Sequence, residues 1–121
     1  MKLNELKNRK VAKELPIGRH EVTFKKIDYR TNSEMDITGV FIHIDGYKPL
    51  FIPFFDNGDN FQLDLLLEQL GCDSYDPDEI NQCTGTRIIA QKYIRQVEDR
   101  TFTNVSFNTN FASTDNESLP A

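Results

Sequence analysis

Residues 39–55, GVFIHIDGYKPLFIPFF, carry alternating large apolar side chains on both sides of an Asp-Gly dipeptide, the pattern of two antiparallel strands joined by a turn. Val40, Ile42 and Ile44 share one parity before the turn, and Leu50, Ile52 and Phe54 share one after it. These six are expected to face a core. The opposite parity sets Phe41, His43, Tyr47, Phe51 and Phe55 outward, an unusual concentration of rings for a solvent face. Pro49 and Pro53 each remove a ladder donor, so the second run is expected at a sheet edge or where a barrel opens.

Working outward, "RHEVTFKKIDYR" (19–30) also alternates, but Val22 and Phe24 have one parity while Ile27 and Tyr29 have the other. A bulge near Lys25 and Lys26 reconciles them. The polar "TNSEMD" (31–36) connects this strand to the hairpin. On the far side, "NGDNFQLDLLLEQLG" changes period to about 3.6: Phe61, Leu63, Leu66, Leu67 and Leu70 gather on one side, while Asp64, Glu68 and Gln69 stay polar. Asp59 or Asn60 can cap this helix and Gly71 can end it. After a long polar connection in which Pro77 opens at most a helical turn, "TRIIAQKYIRQVE" reads as a fourth strand. Asp99 and Arg100 are expected to turn the chain into a fifth, "TFTNVSFN".

Ahead of the first strand, Lys2–Leu15 carries Leu3, Leu6, Val11 and Leu15 among charges and stops at Pro16, a short basic helix or arm. Beyond residue 108 the chain is polar and is expected to be disordered. The reading is therefore an arm over 1–15, a mainly β domain over 16–108 and a tail over 109–121. The element order is strand, strand, strand, helix, strand, strand. That is the order of an OB-fold, a five-stranded Greek-key barrel with one helix between strands 3 and 4.

The formal net charge of −5 argues against a polyanionic partner, but the charge is not evenly spread. Residues 1–30 are net +5 and residues 31–121 net −10, with eight acids and no Lys or Arg between Asp56 and Glu79. Such asymmetry fits either a basic face with an acidic face turned away, or ordinary solvated surface.

Over residues 15–108, the segments "LPIGRHEVTFKKIDY", "GVFIHIDGYKPLFIPF", "FQLDLLLEQLG" and "TGTRIIAQKYIRQ…TFTNVSF" together resemble OB-fold single-stranded-DNA-binding proteins, the small ones of phages, plasmids and conjugative elements of Gram-positive bacteria. The resemblance implies non-sequence-specific binding of single strands, DNA or RNA, in replication, recombination or conjugative transfer. It also fits the rings, because single-strand binders stack unpaired bases on aromatic faces beside cations that track the phosphates. The expected contact set is Phe41, His43, Tyr47, Phe51 and Phe55, with Tyr29 and Tyr93 as further rings and Lys25, Lys26, Arg30, Lys48, Lys92 and Arg95 as cations. Lys92 and Arg95 have opposite parities on one strand. Phe51 and Phe55 fit equally a packing role beneath the arm or at a subunit interface.

Other chemistry finds little footing. No P-loop or nucleophile elbow occurs, and the glycines are isolated, so no enzyme is expected. His20 and His43 read as sheet or surface residues, Asp73, Asp76, Asp78 and Glu79 lack calcium-loop spacing, and Cys72 and Cys83 read as reduced thiols, so neither metal nor cofactor is expected. No apolar run approaches membrane length and no leader is evident, which suggests a cytoplasmic protein without membrane contact or small-molecule substrate. The sparse apolar content of the arm calls for a partner surface, either its own barrel or the acidic region of a neighbouring copy in a homo-oligomer. The competing function class is a protein-interaction OB module that docks on host or phage machinery.

Overall fold

The computed structural model describes residues 2–3 and 13–109. Most of the expected arm, and the expected tail beyond Thr109, lie outside them. The chain forms one antiparallel sheet of β1 (Gly18–Thr31), β2 (Ile37–Ile44), β3 (Leu50–Pro53), β4 (Arg87–Val97) and β5 (Arg100–Ser106) in the order β3-β2-β1-β4-β5. Helix α1 (Phe61–Leu70) and the single turn α2 (Pro77–Ile80) lie between β3 and β4 in the chain.

β1 serves both halves of the sheet. Its first part, Gly18–Thr23, pairs with β4, and its second, Phe24–Thr31, pairs with β2. The change of partner falls at the bulge, where Phe24 pairs with Ile44 and Lys26 with His43, leaving Lys25 as the extra residue. One added residue turns Val22, Phe24 and Ile27 to the same side, and all three are buried.

At the hairpin the structure corrects the expected turn. Pairing begins at Ile42↔Leu50 and continues through Phe41↔Phe51 to Gly39↔Pro53. A turn closed tightly on Asp45-Gly46 would oppose Ile42 to Pro49 and Val40 to Phe51, turning Phe51 to the core side and Leu50 and Ile52 outward. Burial of Leu50 and Ile52 selects the longer connection, and Gly46 bends it at φ 85°. Tyr47 and Lys48 meet the N-terminal segment instead: Tyr47 bridges to Lys13, and the Lys48 amide donates to the Lys13 carbonyl at 2.8 Å. β3 is accordingly only four residues long, bracketed by its prolines. The β4–β5 turn also differs from expectation. Val97 pairs with Arg100, so Glu98 and Asp99 form the turn, with Glu98 at φ 57°.

α1 buries Leu63, Leu66, Leu67 and Leu70 against the sheet, and Gly71 closes it in the left-handed conformation. Two expectations fail here. Phe61 is 57% exposed, because it shares its helix side with Asp64 and Glu68. Gln69 does not stay in solvent: its amide donates to the Ile89 and Phe107 carbonyls and accepts from the Ile89 amide at 2.7–2.9 Å. Gln62 accepts from the Phe107 amide in the same way. These amide groups satisfy strand backbone that the sheet leaves unpaired and tie α1 to the β4–β5 side. Cys72 and Cys83 are free, half-buried thiols packed against the core, and burial beside the Cys72 thiol pushes the Cys83 thiol above its ordinary range.

Candidate nucleic-acid interface

The outer face of β1, β2 and β3 is ordered in rows by the strand register. Asp28, Phe41 and Phe51 form one row, Arg30, Gly39 and Pro53 the next, and Lys26 pairs with His43 on the other side. The Phe41 and Phe51 rings lie tilted with centroids 5.1 Å apart. The Arg30 guanidinium sits 4.7 Å from the Phe51 centroid and donates through Nε to the Thr38 hydroxyl at 3.1 Å. The Phe51 ring extends over Gly39, where no side chain intervenes. Phe51 remains 37% exposed. The result is a preformed aromatic surface with a cation stacked on it, the combination that single-strand recognition uses.

His43 Nε2 lies 2.8 Å from Asp28 Oδ2, and Lys26 Nζ lies 3.7 Å from the same oxygen. The face thus carries two cations, Lys26 and Arg30, around one exposed carboxylate. Lys25 is exposed at the bulge.

The remaining expected residues sit elsewhere. Tyr29 is a correction: the bulge that turns Ile27 inward carries Tyr29 with it, where it packs against the core and edge-on to Phe54 at 5.9 Å. Its hydroxyl donates to the Tyr75 carbonyl at 2.6 Å, and burial pushes its pKa up to about 12. The Tyr75 hydroxyl donates to Asp64, which raises the Tyr75 pKa likewise to about 12. Tyr47 is a second correction, packed against the core beside Lys13 rather than on the outer face. Glu14 lies 3.8 Å from Lys48 and 3.2 Å from Lys92, and the Lys92 ammonium holds its carboxyl below the usual range. Both lysines therefore meet an acid before any phosphate.

Phe55 lies beyond the end of β3, 49% exposed, where the Asn60 side chain grips its backbone at both N–H and C=O. With Phe51, Phe61 and Tyr93 it lines a cleft of roughly 300 Å³ between the β3 and β5 edges, whose described lining contains no Lys, Arg or His. Tyr93 and Arg95 share a face of the β4–β5 hairpin, and Arg95 pairs with Phe102, which is 45% exposed. Lys92 faces the other way, as its parity requires.

Sequence reasoning missed Asp28, Gly39, Phe61 and Phe102. The alternation of β1 placed Asp28 beside Lys26, yet its place among rings depends on cross-strand register, which no local pattern carries.

Among the described residues, no group of three or more His, Cys, Asp and Glu side chains is placed to hold a metal ion, and no helix is long and apolar enough to cross a membrane. Comparison of the sequence with protein-family models and with curated proteins gives no match.

Proposed function

We propose that this chain is an OB-fold protein that binds single-stranded DNA largely without regard to sequence, serving replication, recombination or conjugative transfer in the cytoplasm through binding rather than catalysis. Support for the fold comes from the strand order, the bulged β1 shared by both halves, the helix between β3 and β4, and the facing β3 and β5 edges. The observation that carries the function is the Arg30–Phe51–Phe41 stack on the outer face of β2 and β3. Rings that served only the core would be buried, and Phe51 is not. Bases stack on such rings with little sequence preference, because every base has a π-face. The N-terminal basic segment is assigned to contacts between copies in a homo-oligomer, drawn by the acidic region Asp56–Glu79.

A second reading, a protein-docking module, draws on exposed Ile94, Val97 and Phe102 of the β4–β5 hairpin. Anisotropy of a labelled oligo-dT titrated with the wild-type protein and with Arg30→Ala/Phe51→Ala separates the two. Single-strand binding lost in the double variant supports the first reading. Absence of binding by the wild-type protein favours the second, and an RNA strand of equal length decides between the nucleic acids.

A further inference from the structure

Asp28 is the anomaly of the outer face. A carboxylate between two cations repels phosphate, and Asp is disfavoured in strands, yet this one stands in the same cross-strand row as Phe41 and Phe51. It is exposed and flanked by two side chains: His43 Nε2 lies 2.8 Å from Oδ2 and Lys26 Nζ 3.7 Å from the same atom. A base stacked on Phe41 brings its edge over this neighbouring position, since directly paired side chains of adjacent strands are about 5 Å apart.

We propose that Asp28, oriented by His43, reads the Watson–Crick edge of a stacked base and gives the face a preference for guanine; this rests on the single-strand reading above. A carboxylate only accepts hydrogen bonds, through two oxygens side by side. Guanine is the base whose Watson–Crick edge offers two adjacent donors, N1–H and the N2 amino group, and in a single strand that edge is free. Cytosine and adenine offer one amino group each, beside a ring nitrogen that would face the carboxylate as a second acceptor. Thymine offers one N–H between two carbonyls that it repels. Lys26, beside the same carboxylate, remains positioned for the phosphate of the nucleotide being read. Phe51, one strand further on from Phe41, holds the next base by stacking, with the guanidinium of Arg30 from β1 beside its ring.

The test is anisotropy titration of wild-type protein and Asp28→Asn with labelled strands of one length: dT, a d(TG) repeat and a d(TC) repeat. Wild-type protein is expected to bind the d(TG) strand about tenfold more tightly than dT. Asp28→Asn is expected to lose that preference while binding dT at least as tightly as before. Equal wild-type affinities, a preference for d(TC), or an Asp28→Asn variant that gains equally on all three strands would each overturn the guanine assignment and leave the single-strand reading standing. Failure of the wild-type protein to bind any of the three would overturn both.

Discussion

An added Cβ at Gly39 would overlap Cε1 and Cζ of Phe51, because the ring lies across the bare backbone there. The contact is with a side chain, so Gly39→Ala is expected to displace the ring and keep the fold. Binding to oligo-dT should weaken about as much as in Phe51→Ala, by roughly 1–3 kcal/mol, with an unchanged circular dichroism spectrum. An oligo-dT affinity equal to wild type would remove Phe51 from the interface. Tyr29 gives the opposite expectation. Tyr29→Phe deletes the hydrogen bond to the Tyr75 carbonyl and should cost about 1 kcal/mol of stability in a urea titration, with no effect on binding. At this scale the sequence was half legible. Parity alone placed Phe41, His43 and Phe51 outward, and with the bulge it grouped Tyr29 with the inward Ile27, against the place of Tyr29 in the expected contact set; no local pattern showed that Tyr47 meets Lys13 instead of pairing with β2.

α1 illustrates what periodicity reveals and what it hides. The four leucines that define its buried side follow directly from a 3.6-residue repeat, and Leu67→Asp, which places a charge in that core, should abolish the cooperative melting transition. Its attachment to the sheet was not legible, because a Gln on the helix looks polar whether it meets water or strand backbone. Gln69→Leu would strand the Ile89 amide and the Ile89 and Phe107 carbonyls without partners. An unsatisfied buried group costs about 1–3 kcal/mol, so this nearly isosteric, more apolar substitution should lower the urea midpoint clearly. A midpoint equal to wild type would show that water satisfies those groups. Strand count and order were readable from alternation and turn residues. The length of β3 and the register of the β2–β3 connection were not, since they depend on which pairing buries Leu50 and Ile52, and the β4–β5 turn falls one residue earlier than expected, at Glu98-Asp99.

For the molecule as a whole, the charge distribution decides how copies and strands meet. Lys13, Glu14 and Leu15 belong to the folded body through the Tyr47 bridge, the two lysine pairs and a fully buried leucine. Removing residues 1–12 should therefore leave the melting curve and binding to a short oligonucleotide nearly intact, while abolishing cooperative binding to a long one. Equal losses on both would assign the segment to direct strand contact. The most direct measurement is the affinity for labelled oligo-dT across a range of salt concentrations. If Lys25, Lys26 and Arg30 meet phosphates beside the stacked rings, binding occurs and log K falls with log salt at a slope of about −2, near −0.7 per contact. Absent binding, or an affinity indifferent to salt, would contradict it.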